Sequence, residues 1–370
     1  MLILKKMRKN LDLTLAVLFA AVTGIFSPPS FAEIIERLNF PLLGLLIFLM
    51  CIVAGLRLSG FFDKIFEKFF HGEISCKNLS RFFIFSCFFS SMLITNDVAL
   101  IIFAPIAVLI FTELKKIRLI APTVIWQTIA ANMGSMLTPI GNPQNLFIYS
   151  NYNLSLTEFL SVTAPIVAIS GIFIFIGTCF FTDYKVNLKK REAKVLPKKR
   201  IIFLLMLFAL CLVHVLHVIS FETLAIILLP SLLIIDKKLF LEADYKLIFL
   251  FAALFIGVGN LSNIPFFQNI PENLSGYEFV VSVVMSQIIS NVPATVLLSE
   301  FTNAYTPLLL GVNIGGLGTI IASMASIISF KAYAKMRFSK PKYYLASFTL
   351  SNLAILFALI LYCHFFVGQI

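Results

Sequence analysis

The sequence predicts an all-α integral membrane protein built from two inverted repeats. Three features support this prediction: an apolar composition, basic residues confined to alternate loops, and two copies of a polar motif. Of the 370 residues, 59% are hydrophobic and 13% are charged, whereas a soluble domain is about a quarter charged. Because so few polar residues cannot cover the whole surface, lipid must surround most of the chain.

Apolar segments separated by polar loops predict roughly nine or ten membrane spans and leave no room for a separate soluble domain. The segments are 11–31, 40–58, 82–112, 120–150, 158–182, 201–219, 222–236, 246–261, 278–302, 306–331 and 343–366. Segments 120–150 and 306–331 each cross once, but Gly, Pro or Asn residues interrupt them. We therefore expect a broken helix in each of these two segments.

Two segments, 82–112 and 278–302, are too long for one span and carry a polar break in the middle. We expect each to form a helical hairpin that enters and leaves on the same side. The arms of the first, 82–94 and 98–111, are 13 and 14 residues long. A full span needs about 20 residues, so the lengths predict re-entrant hairpins.

The basic residues predict the orientation of the chain. With a cytoplasmic N-terminus and hairpins that return to their own side, cytoplasmic stretches hold 28 of the 29 Lys and Arg residues, all except Arg37. The stretches are 1–10, 57–81, 113–118, 183–200, 236–246 and 331–342. This distribution predicts a multi-pass membrane protein whose C-terminus lies on the side opposite the cytoplasm, which is the periplasmic side if the membrane is a bacterial inner membrane. It also accounts for the net charge of +11 without a nucleic-acid partner.

The N-terminal segment has two interpretations. We expect a retained first span, although Ser30-Phe31-Ala32 also resembles a signal-peptidase site, at which residues 1–32 would be removed. The predicted units are an N-terminal span at 1–39, a first inverted repeat at 40–182, a basic cytoplasmic loop at 183–200, linking spans at 201–245 and a second inverted repeat at 246–370.

The two halves of the chain share polar motifs in the same order. The matching stretches are 94–96 with 289–291, 132–138 with 313–319, and 141–142 with 322–323. Each half therefore runs span, hairpin, broken helix, span, and five crossings separate the equivalent first spans. An odd number of crossings inverts the second copy. Inverted repeats with broken helices are typical of secondary transporters.

The polar breaks favour the binding of small ions. Irregular backbone survives at membrane depth only where protein or water satisfies its hydrogen bonds. Thr95 or Asn96 can cap the second arm of the first hairpin, and Ser290 and Asn291 occupy the same place in the second. Free N–H groups at such helix ends attract an anion, while free carbonyl, Asn and Thr oxygens suit Na⁺.

Asp97 has two interpretations. An acid at membrane depth marks a functional site by default, and Asp97 lies at the positive end of a predicted helix. Its counterpart in the second half is Val292, so a purely capping role is the alternative. We expect His214, His217 and Trp126, the only Trp in the chain, to pack rather than to bind a ligand.

These motifs resemble those of the ion-transporter superfamily, which includes citrate and dicarboxylate permeases, arsenite efflux pumps and some Na⁺/H⁺ antiporters. The stretches that carry the resemblance are 95–100, 137–145 and 286–293. The chain is most similar to the short bacterial inner-membrane permeases of the citrate-transporter group. The resemblance implies an elevator-type transporter and, as in the dicarboxylate branch, a homodimer. The second broken helix departs from that branch, because Gly318-Thr319-Ile320 stands where a Ser-Asn-Thr run is usual.

The resemblance also implies two half-sites, one from 95–97 with 138–145 and one from 290–293 with 313–323. The candidate substrate and ion ligands are Thr95, Asn96, Asp97, Asn132, Thr138, Pro139, Gly141, Asn142, Pro143, Asn145, Ser290, Asn291, Val292, Pro293, Asn313, Gly315, Gly318, Thr319 and Ser323. Within this set, the candidate Na⁺ ligands are Thr95, Asn96, Gly141, Asn142, Ser290 and Asn291.

Together these inferences predict a secondary active transporter that moves a small carboxylate or inorganic oxyanion, coupled to Na⁺ or H⁺. Na⁺/H⁺ antiport through Asp97 and arsenite efflux are the alternatives. The sequence has no HExxH or GxSxG motif, so we expect neither an enzyme nor a catalytic residue. The expected partners are the anion, the coupling ion, the lipid bilayer and a second copy of the chain, with no cofactor.

Overall fold

The computed structural model describes residues 11–62, 64, 72–188, 197–265 and 274–366, and nearly all of them lie in helices. The predicted cytoplasmic stretch 1–10 and the basic run at 189–194 lie outside the described residues. Three helices open the chain: α1 (Leu11–Phe26), α2 (Phe31–Arg37) and α3 (Phe40–Leu58). Asn39 caps α3 by accepting a hydrogen bond from the Leu42 N–H, and Pro follows in the first turn, where its missing N–H costs least.

The first predicted repeat continues through a hairpin, a broken helix and a long helix. Its elements are β1 (Gly72–Ser75), α4 (Cys76–Ile94), α5 (Asn96–Glu113), a 3₁₀ turn (Ile117–Leu119), α6 (Ile120–Ser135), a 3₁₀ turn (Pro139–Gly141), α7 (Pro143–Asn151), α8 (Leu156–Cys179) and β2 (Lys185–Leu188). α6 and α7 are the two halves of the predicted broken helix, separated by Pro and Gly.

The linking helices and the second predicted repeat follow the same order of long, paired and broken helices. The elements are α9 (Lys198–Val215), α10 (Phe221–Asp236), a 3₁₀ helix (Lys237–Glu242), α11 (Tyr245–Ser262), α12 (Glu278–Ile289), α13 (Asn291–Ser299), α14 (Tyr305–Ile314), α15 (Met324–Ala334) and α16 (Pro341–Phe366). α12 and α13 form the second hairpin, and α14 and α15 are the halves of the second broken helix.

The arms of the first hairpin are longer than predicted. α4 has 19 residues and α5 has 18, not 13 and 14, so their length no longer argues for re-entrance. The apolar pattern missed the first turn of α4 because that turn is polar: Ser75 caps it by accepting from the Asn78 N–H. The second hairpin is short, with arms of 12 and 9 residues.

Five of the described helices, α3, α5, α8, α11 and α16, are long and apolar enough to cross a membrane. Exposed side chains on them are largely apolar, such as Phe175 and Phe357, as expected of surfaces that contact lipid. The chain is therefore a multi-pass, mainly helical membrane protein. The inverted relation of its halves and the elevator movement stay predictions.

One small sheet departs from the all-α prediction. β1 pairs antiparallel with β2, so residues 72–75 of the predicted stretch 57–81 lie beside residues 185–188 of the stretch 183–200. Arg57 also pairs with Glu242 at 2.6 Å, and Arg200 with Asp236 at 3.2 Å. These contacts bring three of the predicted cytoplasmic stretches together, in agreement with the charge map.

Each broken helix packs against both halves of the chain. α4 and α5 pack on α6, and α12 and α13 pack on α14, within their own halves. α7 instead packs on α13, and α15 packs on α5. Each half-helix after a break thus lies against the second hairpin arm of the other half. This exchange brings the two sets of polar breaks to one place.

Candidate functional site

The two hairpin tips have the same backbone conformation. Thr95 has φ 68° and ψ 150°, and Ser290 has φ 75° and ψ 153°. Residues other than Gly rarely occupy this region, and each instance costs about 1–3 kcal/mol. Because the strain recurs at two aligned residues that both carry a hydroxyl group, it is a built feature of the tips.

An asparagine follows each strained residue and caps the next helix. Asn96 Oδ1 accepts from the Asp97 N–H at 2.9 Å, and Asn291 Oδ1 accepts from the Val292 N–H at 2.9 Å. Of the two predicted capping candidates at the first tip, the structure therefore selects Asn96, because the Thr95 side chain makes no capping hydrogen bond. Asn96 Nδ2 is thereby left to donate to Asn132 of the same half.

The first break is held together by Asn142 and Asn145. Asn142 caps α7 by accepting from the Asn145 N–H at 2.8 Å. Asn145 Nδ2 donates to the carbonyl oxygens of Ser135, Met136 and Thr138 at 3.1, 3.2 and 3.1 Å. Ser135 ends α6, and Met136 and Thr138 follow it in the break, so Asn145 supplies hydrogen bonds that a continuous helix would have provided.

Corresponding asparagines then join the two halves. Asn132 Oδ1 accepts from Asn96 Nδ2 at 3.0 Å and from the Ser323 hydroxyl at 3.1 Å. Its counterpart Asn313 accepts at Oδ1 from Asn142 Nδ2 at 3.1 Å. Ser323 and Asn142 are themselves aligned residues, so each asparagine contacts the break of the other half.

The amide network is closed and buried. Asn313 Nδ2 donates to Asn145 Oδ1 at 2.6 Å and to the Leu309 carbonyl at 2.9 Å. Asn132 Nδ2 donates to the Gly316 carbonyl at 3.4 Å. The asparagines at 96, 132, 142, 145 and 313 are all at most 4% exposed. A satisfied buried polar network of this kind fixes a single arrangement of the helices it joins.

At the second break, a glutamine rather than an asparagine binds the backbone carbonyls. Gln287 Nε2 donates to the carbonyls of Gly315 at 2.6 Å and Leu317 at 2.8 Å, and its Oε1 accepts from the Thr319 N–H at 2.9 Å. Gly318 has φ +105°, and a Cβ there would meet the Gln287 carboxamide. Glycine is therefore required both by the backbone and by the close approach of Gln287.

Aligned threonines hold each broken helix to its own hairpin. The Thr138 hydroxyl donates to the Met92 carbonyl, and the Thr319 hydroxyl donates to the Gln287 carbonyl at 3.3 Å. Thr138 precedes the turn at Pro139, but its side chain makes no capping hydrogen bond there. Its hydroxyl group binds the hairpin instead. Ser290 likewise donates to the Ala322 carbonyl, at 3.3 Å, and caps no helix.

Most of the predicted site residues therefore converge. Those joined by side-chain hydrogen bonds across the tips and breaks are Asn96, Asn132, Thr138, Asn142, Asn145, Ser290, Asn313, Thr319 and Ser323. Asn291 binds the second break through its backbone N–H. The predicted residues that shape the turns are Pro139, Gly141, Pro143, Val292, Pro293, Gly315 and Gly318, all of them buried. Thr95 and Asp97 lie half-buried at the first tip.

Sequence reasoning missed Ser135 and Gln287 as functional candidates. The Ser135 hydroxyl lies 3.2 Å from Asn142 Nδ2, and its position inside the repeated motif was an available signal. Gln287 lies in a helical arm opposite Met92, so the repeat gave no reason to choose it. The available signals were a polar side chain three residues before Ser290 and its place in the stretch 286–293 that carries the family resemblance.

The electrostatics of the site come from helix ends and amides. Neither tip carries Lys or Arg. Ser323 occupies the N-cap position of α15 but makes no capping bond with its side chain, because its hydroxyl group binds Asn132. The first turn of α15 therefore keeps N–H groups without a side-chain cap, at the positive end of the helix dipole.

A model of the citrate transporter family matches residues 1–305. The chain belongs to the citrate transporter family. An uncharacterized transporter of Methanocaldococcus jannaschii is 34% identical over 294 residues, which are 77% of this chain and 79% of that protein. Inner membrane protein YbiR of Escherichia coli is 29% identical over 290 residues, 76% of this chain and 77% of its own.

A more distant relative extends the similarity to eukaryotes. The silicon efflux transporter LSI3 of Oryza sativa is 27% identical over 167 residues, 45% of this chain and 34% of that protein. The family and these relatives consist of membrane transporters, not enzymes. Citrate transporter family membership agrees with the sequence resemblance and makes this chain a transporter.

Proposed function

We propose that this protein is a secondary active transporter of a small anion, either a carboxylate or an inorganic oxyanion, coupled to Na⁺ or H⁺. One observation carries the proposal: the N-termini of helices from both halves converge on a buried amide network. Asn96 is the first residue of α5, and Ser323 immediately precedes α15. Both side chains bind Asn132. The Asn291 N–H, at the start of α13, donates to the Ala322 carbonyl at 2.9 Å.

Helix ends supply the positive charge that such a site needs. With no Lys or Arg at the tips, N–H groups and helix dipoles must neutralise an anion, as at other helix N-termini. The first turn of α15, which has no side-chain cap, offers N–H donors close to Ser290, whose hydroxyl group binds the Ala322 carbonyl. Broken helices use this device for anionic substrates in other secondary transporters.

Oxygen atoms at the same breaks suit a coupling cation. Asn96 and Asn291 present amide groups, and Thr95 and Ser290 present hydroxyl groups, at tips that are partly accessible. Hard cations such as Na⁺ prefer carbonyl and hydroxyl oxygens to nitrogen or sulfur. We propose that the cation binds at a tip and adds its charge to the field that holds the anion.

Na⁺/H⁺ antiport is a second candidate, favoured by Asp97. The Asp97 carboxylate is half-buried and has neither a hydrogen bond nor an ion pair with any residue that the structure describes. A carboxylate in this position can exchange a proton for a metal cation. The same group would make H⁺ the coupling ion of an anion transporter, so only transport data separate the two candidates.

The test is flux into proteoliposomes that contain the purified protein, under an imposed Na⁺ or H⁺ gradient. We would offer labelled citrate, succinate, sulfate, phosphate and arsenite, with silicic acid included because of the rice relative. Gradient-driven accumulation of one anion, retained in Asp97→Asn when Na⁺ is the driver, supports coupled anion transport. Exchange of Na⁺ for H⁺ that needs no anion and is lost in Asp97→Asn would overturn it in favour of antiport.

A further inference from the structure

An elongated groove of about 670 Å³ lies away from the amide network, between α6, α8 and α16. Its walls are mainly aromatic, aliphatic or small residues, including Trp126, Phe173, Gly177 and Ala358. Arg118, in the 3₁₀ turn before α6, is exposed and is the one charged residue among the described residues that line the groove, and we call its end of the groove the mouth. The groove therefore has an apolar interior and a basic opening.

The groove follows the long axis of α16. Of that helix, Tyr343 near its start and Ala354, Ile355 and Ala358 further along it line the groove. At 1.5 Å per residue these positions span about 22 Å, more than the roughly 15 Å thickness of one leaflet's hydrocarbon layer. A groove with this direction and length matches an extended acyl chain better than a compact solute.

Small residues keep the groove open. Ala354 and Ala358 are one helical turn apart and so lie on the same face of α16, where larger side chains would fill the space. On the opposite wall, a Cβ at Gly177 would overlap the indole ring of Trp126. Trp126, expected in the core, is half-buried there and packs edge-on against Phe181, with ring centroids 6.5 Å apart.

The charge at the mouth is unpaired. Arg118 is exposed and has neither a hydrogen bond nor an ion pair with any residue in the described ranges. Lys116 lies nearby, with Nζ 4.1 Å from the centre of the Tyr184 ring, and Tyr184 also lines the groove. Tyrosine, tryptophan and basic residues at one level are typical of the membrane–water boundary.

Asp183, the residue before Tyr184, carries a carboxylate that is already bound by other partners. Asp183 accepts from the Ser75 hydroxyl at 2.5 Å and from the Lys77 N–H at 3.4 Å. The Ser75 hydroxyl is the main cause that holds the pKa of Asp183 below its usual value. Asp183 therefore stays ionised but faces Ser75 and Lys77, and it does not neutralise Arg118.

We infer that this groove binds an anionic phospholipid of the leaflet on the side of β1 and β2, with an acyl chain along α16 and the phosphate at Arg118. The apolar walls contribute to the binding of any acyl chain. Arg118 adds a preference for a negatively charged head group, worth about a factor of five for one basic side chain near the bilayer surface. α6, which forms one wall, also carries Asn132 and Ser135 of the amide network.

The single Trp of the chain allows a direct test. Full-length protein is reconstituted in phosphatidylcholine vesicles that contain a fixed fraction of brominated phosphatidylglycerol or of brominated phosphatidylcholine, and quenching of Trp126 fluorescence is measured. We expect the anionic lipid to quench with about fivefold higher apparent affinity. Arg118→Gln should bring that ratio to about one, while Arg337→Gln, at another exposed Arg, should leave it at the wild-type value.

A second variant tests the groove without changing charge. Ala354→Leu with Ala358→Leu should fill the cavity and reduce quenching by both lipids. Equal quenching of the wild type by the two lipids would overturn the inference, as would a preference that survives in Arg118→Gln. Unchanged quenching in the double Leu variant would show that lipid does not occupy the groove. None of these results depends on which solute the protein transports.

Discussion

The tips of the two hairpins have the same conformation, but the lengths of the arms and the neighbouring side chains differ. Both tips place a hydroxyl residue in the same strained conformation, and both then use Asn Oδ1 to cap the following helix at 2.9 Å. The arms, however, have 19 and 18 residues in the first hairpin and 12 and 9 in the second. Tip geometry is therefore independent of arm length.

The side chains next to the tips also differ. Asp97 follows the first asparagine, and Val292 follows the second. Asn145, inside the first break, binds the free carbonyls of that break, whereas Gln287, on the hairpin, binds those of the second. Different amide side chains thus bind the backbone carbonyls at the two breaks, and only the first tip also has a carboxylate.

This difference distinguishes the residues that form the framework of the site from those that can determine coupling or substrate selectivity. Features present twice, such as the strained tip and the capping asparagine, belong to the framework that any substrate of this site would need. Features present once, Asp97 above all, are where coupling or selectivity can differ between the half-sites. The predictions that follow test this division, beginning with the largest expected effect.

The largest effect is expected at the asparagines that join the halves. Asn313→Leu would leave Asn145 Oδ1 buried without its partner, which costs about 1–3 kcal/mol, and would remove one of the two hydrogen bonds that Asn142 Nδ2 donates, which costs about 1 kcal/mol more. Thermal unfolding in detergent should show a loss of about 3 kcal/mol or more. Asn352→Leu is the matched control, because Asn352 is also buried but makes one hydrogen bond, to Phe348. Equal stability of the two variants would contradict the network.

An intermediate effect is expected at Gln287. Gln287→Met installs the residue found at the aligned position 92 and removes three hydrogen bonds to the second break. We expect a loss of about 1–3 kcal/mol in the free energy of unfolding. Met92→Gln should bring no matching gain, because Asn145 already binds the carbonyls of the first break. A stabilised Met92→Gln variant would show that the first break lacks partners.

The smallest effect is expected from relief of strain. Thr95→Gly should raise the free energy of unfolding by about 1 kcal/mol, because Gly adopts this conformation freely and Thr95 caps nothing. Ser290→Gly should gain less, since it also loses the hydrogen bond to Ala322. Chemical denaturation in detergent measures both. A destabilised Thr95→Gly variant would mean that its hydroxyl has a structural partner in the folded state.

The positions of the helix breaks were predicted correctly from the sequence, but the contacts between the breaks were not. Helix boundaries at Asn96, Asn142 and Asn291 were predictable because Asn, Pro and Gly interrupt apolar runs there, and the structure confirms these boundaries. The length of α4 was not predictable, because its first turn is polar and is fixed by the Ser75 cap. Local pattern cannot detect such a turn in a membrane helix.

Contacts between the halves depend on tertiary packing, which periodicity does not encode. The motif match placed Asn132 opposite Asn313, but it gave no sign that Asn313 would bind Asn142 and Asn145. Gln287 was missed for the same reason, since its role exists only once the hairpin lies against the second break. The family resemblance supplied candidates, and side-chain geometry decided which of them meet.

The most direct test of the binding framework compares the tip asparagines. Uptake of the best anion from the flux screen is measured for wild type, Asn96→Ala, Asn291→Ala and the buried control Asn352→Ala, each reconstituted at equal amounts. Loss of the amide contacts should reduce coupled uptake by about tenfold or more in both tip variants and leave Asn352→Ala near wild type. Coupled uptake that persists in Asn291→Ala would contradict a site shared by the two tips.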